Sequence, residues 1–245
     1  MTGTRIDVGG VPTYYEVLGS GTQPLLLLHG GFQVIETMSQ VAEWLSQAFK
    51  VYLPERRGHG RTPDVEGPIT FELMAADTLS FMDAVGVDRA DVVGYSDGGI
   101  LGLLLAIRAP DRLSRLVSIS ANTTPDVIDF ATFMGDPRYQ AMIQAMRDDY
   151  DALSPDGAEH RPVVREKLMR MWAEEPHISG DELASIRCPT LVVAGDRDIV
   201  PVDHTVGIWR SIPNARLSLI PGGSHLLVSE KPAIVRGVLL DFLGS

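Results

Sequence analysis

A chain of 245 residues is long enough for one large α/β domain, and its 44% hydrophobic residues supply a core for it. With 32 acidic against 21 basic residues the net charge is −11, which argues against nucleic acid and against an anionic membrane as partners. No stretch approaches the roughly 20 apolar residues of a membrane span, Met1-Thr2-Gly3-Thr4-Arg5 lacks the apolar core of a signal peptide, and the single cysteine, Cys188, excludes an intrachain disulfide, so a cytoplasmic protein is expected.

Taken in order, Arg5–Val8 and Val11–Leu18 are β-prone stretches around the turn signal Gly9-Gly10 and predict a strand pair. Pro24–Leu28 is apolar without alternation, as in a strand buried on both faces, and it stops at His29-Gly30-Gly31-Phe32. Val41, Trp44, Leu45 and Phe49 lie at helical spacing within a helix predicted over Met38–Phe49. Lys50–Pro54 is a short strand, followed by Glu55-Arg56-Arg57-Gly58-His59-Gly60-Arg61-Thr62. Thr70–Val85 predicts a helix with Gly86 as its stop.

Asp91–Tyr95 is the next strand, and Asp97–Ala109 a helix stopped by Pro110. Ser96 stands between them at a turn so tight that Gly94 and Gly98 fall where side chains would clash. Leu113–Ser120, Pro189–Ala194 and Ala215–Ile220 predict further strands, Val202–Ser211 and Pro232–Leu243 further helices. Cys188, before the apolar run Thr190–Ala194, reads as a core thiol. The alternation predicts a mostly parallel, eight-stranded sheet flanked by helices, with its site beyond the carboxyl ends of the strands. From about 121 to 180 the alternation breaks, with helical stretches at Asp126–Met134, Pro137–Leu153 and Arg161–Glu175. The expectation is one domain over residues 1–245 with this segment inserted as a helical cap.

Three of the loops at strand ends carry Ser96, Asp198 and His225. A serine hydroxyl is a weak nucleophile and needs a base of near-neutral pKa, for which imidazole is suited. The imidazole needs a carboxylate to hold its tautomer and stabilise its cation. Asp196 competes with Asp198 for that acid, and His29, His59, His160, His177 and His204 with His225. None of the histidines stands in a metal-type cluster, so no metal is expected.

The chain resembles α/β-hydrolase fold serine hydrolases with a small helical cap. The resemblance spans essentially the full length. It rests on His29-Gly30-Gly31, Arg57-Gly58-His59-Gly60-Arg61-Thr62, Gly94-Tyr95-Ser96-Asp97-Gly98-Gly99, Gly195-Asp196-Arg197-Asp198-Ile199-Val200-Pro201 and Gly223-Ser224-His225, all in the family's order. It implies Ser96 as nucleophile, Asp198 as acid and His225 as base, with no cofactor. The oxyanion hole it implies is made by the backbone N–H of Asp97 and that of Gly31 or its neighbour Phe32. The elbow Ser96-Asp97-Gly98-Gly99 is similar to that of amino-acid-ester hydrolases of the valacyclovir type, in which the matching aspartate receives the substrate's α-amino group.

Asp97 thus has two readings, a helix N-terminal acid and a site for a substrate cation. Arg56 and Arg57 are read as pairing with a loop carboxylate, with a substrate carboxylate as the rival reading. Met134, Met142, Met146, Met169, Met171 and Trp172 either line an adaptable apolar pocket together with Phe32 or pack the cap on the sheet. The expected partner is a small-molecule ester, cleaved through an acyl-enzyme. A lactone, a thioester or a C–C bond would use the same three residues, and a receptor-type member of the fold is the reading from another class.

Overall fold

The computed structural model describes residues 3–128 and 130–244, and of residues 130–132 only the backbone. Met1, Thr2, Asp129 and Ser245 lie outside the described residues. The first two residues of the N-terminal stretch and one residue of the helix expected at Asp126–Met134 fall there.

The described strands are β1 (Thr4–Val8), β2 (Val11–Leu18), β3 (Pro24–Leu28), β4 (Lys50–Pro54), β5 (Ala90–Tyr95), β6 (Leu113–Ile119), β7 (Thr190–Arg197) and β8 (Ala215–Ser224). They form one eight-stranded sheet in the order β1-β2-β4-β3-β5-β6-β7-β8. β2 runs antiparallel to both β1 and β4, and every later pairing is parallel. From β3 the strand order runs one way to β4, and from β5 the other way to β6. The carboxyl ends of β3 and β5 therefore flank the switch point, where such sheets open a crevice.

The helices are α1 (Ser39–Leu45), α2 (Phe71–Ala84), α3 (Asp97–Arg108), α4 (Phe130–Gly135), α5 (Pro137–Leu153), α6 (Arg161–Glu174), α7 (Gly180–Ala184), α8 (Val202–Ser211), α9 (Leu227–Glu230) and α10 (Pro232–Leu243). Successive residues of β3 feed opposite cores. Leu26 and Leu28 pack with α2 and α3, whereas Leu25 and Leu27 pack with α1 and α10. That explains the unbroken apolar run, since neither face of the strand meets water. Cys188 is buried in the first of these cores, and burial pushes its thiol pKa up.

α1 is shorter than the periodicity predicts. Its first turn is a 3₁₀ turn at Ile35–Met38. It ends before Ser46, where the chain bends to bring the Lys50 N–H onto the Gln23 carbonyl at 2.9 Å and start β4. Between β6 and β7 the chain forms a 3₁₀ turn at Pro125–Val127 and then α4 to α7. Among the described residues no helix is long and apolar enough to cross a membrane.

Directly after β4, Glu55 is fully buried and pairs with Arg61 at 2.7 Å. Burial outweighs the hydrogen bond and charge of Arg61 and raises the carboxyl from 4.5 to about 7. The folded chain thus holds this proton more tightly than the unfolded chain does. The contribution to stability is present below the unfolded pKa and is lost as pH rises through about 7. Urea unfolding of the wild type and of Glu55→Gln, whose amide does not titrate, should show the wild type losing stability relative to the variant between about pH 5 and about pH 8. A difference independent of pH would contradict this.

Candidate active site

The turn after β5 places Ser96 at φ 55°, ψ −120°, a left-handed conformation that costs a non-glycine residue of order 1–3 kcal/mol. The surroundings enforce it. A Cβ on Gly94 would overlap the Gly98 carbonyl, and one on Gly98 would overlap the Leu28 carbonyl of β3. The Ser96 N–H donates to Ile119 O of β6 at 2.8 Å, while Gly99 N and Ile100 N close the first turn of α3 on Ser96 O. The hydroxyl therefore stands above the sheet at the amino end of a buried helix.

Strand register delivers its partners. β7 and β8 both continue past the predicted ends, through an irregularity after Gly195, to the pair Arg197↔Ser224. The strands come so close there that a Cβ on Gly195 would overlap the Gly223 carbonyl. The residues directly after these strands are Asp198 and His225. The Nδ1–H of His225 donates to Asp198 Oδ1 at 2.7 Å. Its Nε2 accepts from the Ser96 hydroxyl at 3.0 Å.

Two further donors hold the carboxylate: Ser120 Oγ–H to Oδ2 at 2.5 Å and Val200 N–H to Oδ1 at 3.2 Å. Burial alone would raise the Asp198 pKa, but the His225 charge, its hydrogen bond and these two donors outweigh it and hold the carboxyl below its ordinary range. The His225 backbone is braced as well. Tyr95 Oη donates to its carbonyl at 2.6 Å, and its N–H donates to Tyr139 Oη at 3.3 Å. Burial raises the Tyr95 pKa, so its hydroxyl stays a donor. A neutral imidazole held this way can take a proton from Ser96 and return it to a leaving group.

Asp196, the rival acid, is exposed and accepts from Gly222 N–H at 2.7 Å, a bond between β7 and β8, whereas His225 Nδ1 meets Asp198. Of the other histidines, His177 is exposed and four have partners of their own. His29 and His59 are buried, and burial lowers both pKa values, that of His59 to about 3. His160 bonds to Asp64, and His204 accepts from the Thr123 N–H.

The loop after β3 faces the elbow. Phe32 has φ 54°, and its ring stacks on Tyr150 at 5.5 Å. A Cβ on Gly31 would overlap the Asp97 carboxylate and the Trp172 ring, so a larger residue there would have to displace that pair. The Asp97 carboxylate turns toward α6 and accepts from Trp172 Nε1–H at 3.0 and 3.2 Å. Burial raises its pKa, opposed by the charge of Arg56, the Trp172 bond and His225.

Arg56 corrects the expected pairing with a loop carboxylate. Its guanidinium donates to two backbone carbonyls, His29 O at 2.5 Å and Gly30 O at 2.7 Å. Arg57 does pair with a carboxylate, but that of Asp77 in α2.

Ser96, His225, Asp97, Gly31 and Phe32 open onto one cavity of about 170 Å³. Met134, Met142, Met146, Met169 and Trp172 line it, together with Ile143, Phe133 and Leu168. Met171 instead points into the core and is buried there. Among the described residues no group of three or more His, Cys, Asp or Glu side chains could hold a metal ion.

Ser120, Tyr95 and Tyr139, which hold Asp198 and His225 in place, were not foreseen from the sequence. Ser120 carried a signal, a polar residue at the end of an apolar strand run, and the structure holds it at φ 55°. Tyr139 carried none, because its contact depends on how α5 lies over the strand ends.

A family model described as alpha/beta hydrolase fold matches residues 23–154. A putative carbamate hydrolase RutD from Caulobacter sp. (strain K31) is 31% identical over 222 residues, covering 81% of this chain and 82% of its own. The serine hydrolase BPHL of Homo sapiens is 29% identical over 238 residues, covering 93% and 81%. A meta-cleavage product hydrolase from Pseudomonas fluorescens IP01 superposes with a TM-score of 0.84 at 23% identity over 99% of this chain and 97% of that one, a likeness of fold.

Proposed function

Because the chain belongs to the α/β-hydrolase fold family, we propose that it is a serine hydrolase cleaving a small or medium carboxylic ester through an acyl-enzyme on Ser96. The observation that carries this reading is the continuous hydrogen-bonded line Ser96–His225–Asp198 opening into an apolar cavity. The similarity to a serine hydrolase and to a putative carbamate hydrolase supports attack at an acyl carbon.

Ser96 Oγ attacks the ester carbonyl carbon as His225 Nε2 takes its proton. The carbonyl oxygen becomes an oxyanion, held by the N–H groups of Gly31 and Asp97. As the tetrahedral adduct collapses, the C–O bond to the alcohol breaks and His225 returns the proton to the departing oxygen. Water then gives a proton to His225 and attacks the acyl-serine, and the acid leaves as Ser96 regains its hydrogen. Asp198 stays ionised throughout and stabilises the imidazolium. The segment from about 121 to 180 serves as a cap, and Phe32, Met142, Met146 and Trp172 contact the acyl or alcohol group.

Asp97 carries the finer substrate reading. Its carboxylate lies in the cavity and bonds to Trp172 across from its own helix, which favours a substrate amine over simple capping of α3. Asp97→Asn keeps the side chain's shape and removes its charge. Turnover of an amino-acid ester should fall about 10- to 100-fold in kcat/KM, while that of the desamino analogue changes little. Equal losses on both would overturn the amine site. A panel of simple esters, lactones and thioesters tests the ester reading itself, which predicts the highest kcat/KM for the esters.

A further inference from the structure

Arg56 has no place in the chemistry described so far, yet it is almost fully buried beside it. It follows β4, the neighbour of β3 in the sheet, so its loop abuts the loop that carries Gly31. Its Nη1 holds the His29 carbonyl and its Nη2 the Gly30 carbonyl. His29 works with it. Its ring Nε2 faces the Arg56 backbone N–H at 3.4 Å and accepts from it, which leaves the proton on Nδ1, donated to the same Gly30 carbonyl at 2.8 Å. The Gly30 oxygen is thus fixed from two directions.

A trans peptide is rigid and planar, with its C=O and N–H pointing opposite ways. Fixing the Gly30 oxygen on the Arg56 side therefore turns the Gly31 N–H to the other side. Gly31 lines the cavity there with Ser96 and Asp97. We infer that Arg56 is the positioning residue of the oxyanion hole, gripping the His29 and Gly30 carbonyls so that the Gly31 N–H is aimed at the developing oxyanion. The inference rests on the acyl-transfer reading of Ser96.

The choice of residue fits the task. Two carbonyls side by side need two donors in fixed relation, which a guanidinium fork offers and an ammonium does not. Stability is a poor reason for a cation there, because a buried charge costs several kcal/mol to desolvate. Among the described residues the Arg56 Nε also has no hydrogen-bond partner. Burial lowers the Arg56 pKa to about 10, with the charge of Asp97 opposing, so the side chain remains a cation at neutral pH.

Arg56→Lys keeps the charge and loses the fork. In the full-length enzyme the expected result is a fall of about 10- to 100-fold in kcat with KM within about threefold. The inhibition constant of a boronic acid, which forms a tetrahedral adduct on Ser96, should rise by a similar factor. The affinity for the carboxylic acid product should stay within about threefold. A merely structural role would lower the melting temperature and leave kcat and boronate affinity per folded molecule unchanged, which would overturn the inference. If the lysine variant does not fold, Arg56→Gln, which donates to one carbonyl without leaving a buried charge, carries the same comparison. A wild type that neither turns over esters nor binds the boronate would defeat the acyl-transfer reading instead.

Discussion

Ser96→Ala is expected to lower kcat for an ester by about 10⁶-fold, with the fold and the melting temperature retained. The size follows from what the hydroxyl does. In the proposed mechanism it is the atom that becomes acylated. His225 Nε2 loses its donor at 3.0 Å and would have only water to activate. The backbone N–H groups proposed for the oxyanion are untouched, so residual turnover above the uncatalysed rate is expected from them alone. Alanine at φ 55° keeps the strain of the turn without relieving it, so stability should change little. A variant that retained more than about a tenth of wild-type kcat would remove Ser96 from the mechanism.

The second large effect is expected from Asp198→Asn, about 10⁴-fold in kcat. An amide whose NH₂ takes the place of Oδ1 gives up the Val200 bond while its carbonyl keeps that of Ser120, so the side chain should stay largely in place. The electronics would not. An amide NH₂ facing Nδ1 stabilises the tautomer with hydrogen on Nε2, the wrong one for taking a proton from Ser96. The negative charge that supports the imidazolium is lost as well. Near-normal turnover in Asp198→Asn would move the role of acid to another residue, Asp196 being the sequence rival. Asp196 accepts from the Gly222 N–H, whereas His225 Nδ1 meets Asp198.

Most of the sheet was legible because buried parallel strands are written as short apolar runs ending in glycine-rich loops. Pro24–Leu28 and Ala90–Tyr95 are such runs, and both lie at the centre of the sheet. Strand ends were less legible. β7 and β8 run on to Arg197 and Ser224 through glycines and polar residues that look like loop, because close backbone pairing holds them rather than apolar side chains. α7 and α9, of five and four residues, are too short to show a helical period and were not foreseen.

The order of Ser96, Asp198 and His225 was legible because each stands directly after a strand, where chain order becomes spatial neighbourhood. The supports of the site were not. Trp172 meets Asp97 across 75 residues, and Ser120 meets Asp198 across 78. Contacts of that kind depend on how separate loops and helices settle over the strand ends, and no local pattern encodes them. Met171 shows the same limit on a single helix. Its neighbour Trp172 faces the cavity while it faces the core, although both were candidates for either side.

A live nucleophile at Ser96 is tested most directly by a fluorophosphonate, because its adduct does not turn over. After incubation with the purified protein, intact-mass analysis and peptide mapping should find one phosphonyl group per chain, on Ser96, and none in Ser96→Ala. An unmodified wild-type chain, or an adduct at any other residue, would contradict the account.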